Sequence, residues 1–214
     1  MQPYQTAFLQ LALQHEVLKF GQFTLKSGRV SPYFFNLGKI SSGAAMRELG
    51  RAYAQALSAS GLAYDMLFGP AYKGIPLVAA AGIALAEQGR DVPYAYNRKE
   101  AKDHGEGGVL VGAAPKGRVV IVDDVLTAGT ALREAVGLLR AAGAEPVAAV
   151  IALDRQEVGP SGQSAVAEME RDTGIRVVPL VTASEVLQYL QAQQADPDTI
   201  AAMRAYQARY GVRP

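Results

Sequence analysis

The chain has 214 residues, enough to bury a full core, and half of them are hydrophobic against 19% charged. Lys plus Arg number 21 and Asp plus Glu 20, a net charge of +1 that gives no reason to expect nucleic acid or an acidic membrane as partner, so any anion site must be local. With no cysteine there are no disulfides and no thiolate metal sites. Met1-Gln-Pro-Tyr-Gln-Thr6 lacks a basic region leading into an apolar run, and no stretch approaches the roughly 20 apolar residues that span a bilayer. The expectation is one cytoplasmic domain over residues 1–214.

In chain order, residues 4–17 carry Phe8, Leu9, Leu11, Ala12 and Leu13 on a broad apolar helical face, and Gly21 ends the segment. Residues 22–25 and 33–36 read as two short strands around a Gly/Pro connection, Lys26-Ser-Gly-Arg-Val-Ser-Pro32, an accessory element rather than a second core. The adjacent Phe34 and Phe35 point to opposite faces of such a strand, one free to pack inward and the other to cover a planar ligand. A second helix follows Ser41 and Ser42 as candidate caps, with Met46, Leu49, Tyr53 and Leu57 apolar and Gly61 past its end.

Residues 64–68 form a short strand that runs into Gly69-Pro-Ala-Tyr-Lys-Gly74 and a helix over 75–87. The two glycines invite comparison with a P-loop, but the lysine is Lys73 and Ile75 follows Gly74, so the Gly-Lys-Ser/Thr ending is missing. What remains is a tight loop at a helix start with a lysine available to an anion. Residues 92–97 read as another strand, after which hydrophobicity collapses in Arg98-Lys-Glu-Ala-Lys-Asp-His-Gly-Glu-Gly-Gly108. Such a segment cannot contribute to a core and is expected to be mobile.

Residues 119–122, Val-Val-Ile-Val, have the look of a strand buried on both faces, and Asp123 and Asp124 follow where it surfaces. Beyond them Thr127, Ala128, Gly129 and Thr130 make a small-residue turn into a helix with Leu132, Val136 and Leu139 at helical spacing. The first amides of a helix lack internal partners and carry the positive end of its dipole, so a phosphate monoester settles there. Two carboxylates would repel that phosphate, and face instead the hydroxyls of the same ligand or a divalent ion. A sugar phosphate meets both demands; the acidic strand end of a nucleotide hydrolase or a receiver domain is the alternative.

The rest is a strand over 146–153 ending in Asp154-Arg155-Gln156-Glu157, a helix over 164–171, a strand over 176–181, and helices over 184–193 and 198–210. Strands alternating with helices argue a mostly parallel sheet with helices on both faces, whose ligands bind at the carboxyl ends of the strands. Arg155 falls at that edge, either as a partner of Asp154 or as a ligand contact.

The 119–131 string resembles the 5-phosphoribosyl 1-diphosphate signature of type I phosphoribosyltransferases. Leu25-Lys-Ser-Gly-Arg29, Ser31-Pro-Tyr-Phe-Phe-Asn36, Phe68 through Pro76, Asn97 through Gly108 and Leu153 through Glu157 resemble, more narrowly, the orotate phosphoribosyltransferase family. The resemblance implies an α/β fold of the type I phosphoribosyltransferase kind, a central mostly parallel sheet flanked by helices. It also implies a small N-terminal hood over about residues 1–40 and a mobile catalytic lid over 98–116.

The implied reaction joins orotate to 5-phosphoribosyl 1-diphosphate in de novo pyrimidine biosynthesis, giving orotidine 5-phosphate and diphosphate. Asp123 and Asp124 would take the ribose hydroxyls, with Val125, Leu126, Thr127, Ala128, Gly129, Thr130 and Ala131 around the 5-phosphate. Tyr72 and Lys73, in the diphosphate loop where a non-proline cis peptide is common, would join Lys26, Arg98 and Lys99 on the donor. Lys102 and His104, the expected catalytic pair, would act on the leaving diphosphate. Lys26, Phe34, Phe35, Thr127 and Arg155 would contact orotate. Magnesium would be held mainly by substrate, with Asp123 and Asp124 as contacts through water. The family further implies a homodimer with shared active sites, acting on small molecules and on neither nucleic acid nor membrane.

Overall fold

The computed structural model describes residues 1–25, 27–102, 108–126, 129–159 and 161–212, the side chains of 101 and 102 excepted. The Lys26, His104, Thr127 and Ala128 expectations, and that for the Lys102 side chain, lie outside the described residues.

The strand that carries the acidic pair, β6 (Arg118–Val125), sits inside a six-stranded sheet and is buried from Val119 to Val122. Its alternate side chains enter two cores. Val120 and Val122 join the cluster with Leu49, Tyr53, Val78 and Leu85, while Val119 and Ile121 join Leu132, Val136, Leu139 and Met169. An apolar run without polar alternation is what a strand covered on both faces requires.

The other strands are β3 (Met66–Gly69), β4 (Tyr94–Lys102), β5 (Gly108–Gly112), β7 (Glu145–Asp154) and β8 (Arg176–Thr182), in the order β5-β4-β3-β6-β7-β8. All neighbours pair in parallel except β4 with β5. On one face lie α1 (Pro3–Gln14), α2 (Gly43–Ala59), α3 (Gly74–Glu87) and α6 (Ala183–Ala192); on the other lie α4 (Thr130–Ala141) and α5 (Ala165–Thr173). The caps follow residue chemistry: Ser42 Oγ accepts from Ala45 N at 3.3 Å, and Thr182 and Glu185 form a capping box at the start of α6. Among the described residues no helix is long and apolar enough to cross a membrane.

A separate antiparallel hairpin pairs β1 (Leu18–Thr24) with β2 (Val30–Phe35), in the stretch expected to form the hood, and α7 (Pro197–Tyr210) packs against β2. Its inward residues Leu18 and Tyr33, with Leu37 just beyond, belong to the main core, so it closes that core rather than building its own.

The charged stretch after Asn97 carries backbone pairing on both sides of its undescribed centre. β4 continues to Lys102, and β5 turns back along it with Leu110 and Ala113 packed against the second core. Backbone pairing does not depend on side-chain polarity, and charged side chains are what an edge hairpin carries toward water.

Candidate active site

Strand order reverses between β3 and β6, since β4 lies to one side of this pair and β7 and β8 to the other. Loops leaving two such strands diverge and open a crevice at their carboxyl ends. The loop after β3 is held tightly. A Cβ on Gly69 would strike the Gly74 carbonyl, and one on Gly74 would lie 2.5 Å from Pro70 Cδ and 2.9 Å from the Val122 carbonyl of β6. Glycine at 69 and 74 is therefore a condition of this loop folding tightly against β6. The Ala71–Tyr72 peptide is cis, and Ala71 N donates to Asn97 Oδ1 at 3.0 Å. Tyr72 is exposed, with Lys99 Nζ 5.1 Å from its ring centroid.

Lys73 reaches from this loop to the end of β6, where its Nζ lies 2.5 Å from Asp124 Oδ2. Asp124 N donates to Asp123 Oδ1 at 2.9 Å, and Tyr53 Oη of α2 donates to the Asp123 main-chain carbonyl at 2.7 Å. Burial pushes the Asp123 carboxyl up to about 6; the Asp124 amide opposes this, and the Asp124 charge adds to it. Val125 closes β6 opposite Leu153. Gly129 then takes φ +71, where a Cβ would strike Met169, and α4 begins at Thr130 with no side-chain cap. The leading amides of α4, at Thr130 and Ala131, thus start directly beyond the acidic pair.

A cleft of about 450 Å³ lies beside these parts, lined by Pro70 and Ala71 of the first loop, Arg98 and Lys99 of β4, and Ala131 and Glu134 of α4; Lys73, Asp123 and Asp124 do not line it. Arg98 Nη1 is buried there without a hydrogen-bond partner. A larger groove of about 600 Å³, between α3 and the β4–β5 edge near Ile83 and Tyr94, involves neither loop.

At the end of β7, Arg155 is held on several sides. It donates from Nε to Glu157 Oε1 at 2.7 Å and from Nη2 to Ser31 Oγ at 3.0 Å, and its guanidinium lies 4.2 Å from the Tyr33 ring centroid. Its carboxylate partner is Glu157 rather than Asp154, whose Oδ1 accepts from Gln156 N. Phe35 faces inward, tilted against Phe8 at 6.4 Å, and Phe34 stays 38% exposed beside Phe23. The two phenylalanines thus divide between faces as alternation requires.

The structure therefore brings Tyr72, Lys73, Arg98, Lys99, Asp123, Asp124 and Gly129 through Ala131 to one sheet edge, with Phe34 and Phe35 at the end of β2 and Arg155 bonded to Ser31 of the same strand. Tyr53, Asn97 and Glu157 join the site without having been singled out. Asn97 and Glu157 each bound a string already quoted for its resemblance, but nothing local marks Tyr53. For a divalent ion the chain offers little: no group of three or more His, Asp or Glu that could hold a metal occurs among the described residues, and Asp124 already holds Lys73. Two adjacent carboxylates suit an ion that keeps waters and takes its other oxygens from a substrate phosphate.

The comparisons with known proteins agree with this geometry. The phosphoribosyl transferase domain family matches residues 38–168. The orotate phosphoribosyltransferase of Thioalkalivibrio sulfidiphilus is 57% identical over 213 residues, covering 99% of this chain and 100% of the relative. That of Cellvibrio japonicus is 54% identical, covering 99% of each. Among solved structures, the Francisella tularensis orotate phosphoribosyltransferase superposes with TM-score 0.87 at 42% identity over 95% of this chain and 98% of that one. Leishmania donovani UMP synthase gives TM-score 0.74 at 29% identity over 96% of this chain but 42% of that longer one. Identity above one half along nearly the whole of both sequences, on a sheet whose strand order reverses between β3 and β6, makes this chain a member of the orotate phosphoribosyltransferase family.

Proposed function

We infer that the chain transfers the phosphoribosyl group of 5-phosphoribosyl 1-diphosphate to orotate, giving orotidine 5-phosphate and diphosphate in pyrimidine biosynthesis. The observation that carries this is the Lys73 loop paired with the acidic pair that ends β6, with the first turn of α4 following that pair in the chain. A donor with phosphate at one end, diphosphate at the other and hydroxyls between them matches that order.

In the reaction the bond from the anomeric carbon to the diphosphate oxygen breaks, the oxygen keeping the electron pair. A bond forms from that carbon to a ring nitrogen of orotate, which gives up its proton. Positive charge grows on the ribose and negative charge on the leaving group, so a protein nucleophile is unnecessary, and positioning and charge stabilisation dominate. Asp123 and Asp124 accept from the ribose hydroxyls, and Val125 through Ala131 receive the 5-phosphate. Tyr72 and Lys73 hold the diphosphate, and Lys26, Arg98, Lys99, Lys102 and His104 supply further positive charge to it as it leaves. Magnesium suits the site as an ion held mainly by the donor's oxygens, with Asp123 and Asp124 reaching it through water, and it would offset leaving-group charge.

On the base side, Lys26, Thr127, Phe34, Phe35 and Arg155 form the orotate pocket. The Arg155 guanidinium, positioned by Glu157 and Ser31, is the group for the orotate carboxylate. The same reading includes a cytoplasmic homodimer with shared sites; exposed Ile83 and Tyr94 offer apolar surface for a second copy along the β4–β5 edge.

The test is to follow orotate absorbance with donor and a magnesium salt, and in parallel with adenine or hypoxanthine as the base. Donor-dependent loss of orotate, with equimolar diphosphate, is expected. Consumption of a purine in its place would reassign the base pocket.

A further inference from the structure

The carbonyl of Asp123 and the amide of Asp124 belong to one peptide unit, and that unit is gripped at both ends. Its N–H donates to Asp123 Oδ1 at 2.9 Å, and its oxygen accepts from Tyr53 Oη at 2.7 Å. The second grip comes from outside the sheet because β3 has run out: β6 pairs with β3 only as far as Ile121, two residues before Asp123. Tyr53 is fully buried on α2, with 0% exposure, and its ring packs in the core that also holds Val122. A planar peptide fixed at both its oxygen and its nitrogen cannot rock about the chain axis. The Cα–Cβ directions of the two flanking residues are then set together, and from those bases Asp123 Oδ1 accepts from the Asp124 amide while Asp124 Oδ2 meets Lys73. Burial, with the two aspartate charges beside it, also pushes the Tyr53 hydroxyl well up, so it stays a donor across the working pH range.

We propose that Tyr53 is a positioning residue for the phosphoribosyl donor, clamping the Asp123–Asp124 peptide so that the backbone carrying both carboxylates meets the ribose hydroxyls without reorganising. This rests on the reading that the acidic pair binds the donor's ribose. The hydroxyl touches neither substrate; it acts through the peptide alone. A clamp of this kind favours donor binding and leaves the base pocket under the hood unaffected.

The experiment is steady-state kinetics of Tyr53→Phe, varying donor and orotate separately, with thermal unfolding measured on the same preparations. The expected result is a donor KM raised about 10-fold, the effect of losing one well-placed hydrogen bond, with orotate KM unchanged. Replacement of Tyr53 by 4-aminophenylalanine, which keeps the ring and returns an N–H donor, should restore most of the donor affinity. Assays at low temperature keep a destabilised Phe variant folded. A lowered Tm with unchanged donor KM would overturn the proposal, since a residue that only holds the fold gives that result, and so would an equal rise in both KM values. Asp124→Asn separates the two layers: if it raises donor KM while Tyr53→Phe does not, the acidic pair binds donor and the clamp is wrong. If Asp124→Asn itself leaves donor KM unchanged, both fall.

Discussion

Lys73 Nζ and Asp124 Oδ2 lie 2.5 Å apart, an ion pair that ties the loop after β3 to the end of β6. The lysine side chain is 56% exposed and the carboxylate 14%, so the pair is screened on one side and holds little stability, about 0–1 kcal/mol. On the proposed reading it keeps two oppositely charged groups neutral until the donor arrives, when a diphosphate would compete for the lysine and the ribose hydroxyls for the carboxylate. Lys73→Ala should therefore shift stability by no more than about 1 kcal/mol while raising donor KM on the order of 10-fold. Thermal unfolding beside donor-saturation kinetics checks both, and a large loss of Tm with normal donor KM would count against this role.

Arg155 gives the corresponding prediction for the base. Ser31 and Glu157 fix its guanidinium, so removing it deletes a preorganised cation rather than a floppy one. Arg155→Ala should raise orotate KM about 10- to 100-fold, the range for a hydrogen bond to a charged group, and leave donor KM within about 2-fold. Separate titrations of the two substrates decide it. The assignment is wrong if donor affinity falls and orotate affinity does not.

How far the chain could be read in advance varies by element, for physical reasons. The apolar run over 119–122 ends in two carboxylates, and burial on both faces followed by emergence at a sheet edge is the only comfortable home for that pattern. The loop with Gly69 and Gly74 was legible for the same reason, because its residue types constrain the backbone locally. β5 and the far half of β4 were not. Their charges and glycines describe solvent exposure, and an edge strand satisfies that as well as a loop does. Tyr53 looked like one more apolar position on a helix face; its hydroxyl matters only through a contact 70 residues away in sequence. Arg155 was visible as a cation at a strand end, but its partner Glu157 was not, since choosing between Asp154 and Glu157 depends on how the chain turns through Gln156, whose φ is +53.

The shared-site dimer is tested by mixing. Lys102→Ala should lower turnover far more than it weakens substrate binding, because a lysine serving the departing diphosphate acts on charge that develops in the transition state. When this variant exchanges subunits with Asp124→Asn, sites assembled from two chains give mixed dimers with one doubly defective and one intact site. An equal mixture should then regain about a quarter of wild-type activity. No recovery after verified exchange, or a stable active monomer, would exclude shared sites.

Asp123 links stability and function with opposite signs. Its carboxyl rises from 3.8 to about 6 on folding, so the folded protein holds this proton more tightly than the unfolded chain does. Stability tied to the proton is fully present below 3.8 and is lost as pH rises through about 6. The ionised form, which costs stability, is the better acceptor for ribose hydroxyls. Donor KM should accordingly rise as pH falls below about 6, a trend that a pH series of donor saturation curves would show.

The most direct measurement is therefore Asp123→Asn at about pH 8, with Tm and donor KM determined on one preparation. If the acidic pair at the strand reversal is the donor's ribose site, the variant gains stability, up to about 3 kcal/mol, by losing a half-buried charge, and it uses the donor far less well. A gain that shrinks toward pH 4 would tie it to this carboxyl. A variant that loses Tm and keeps normal donor kinetics would show that Asp123 serves the fold, and would contradict the account at its centre.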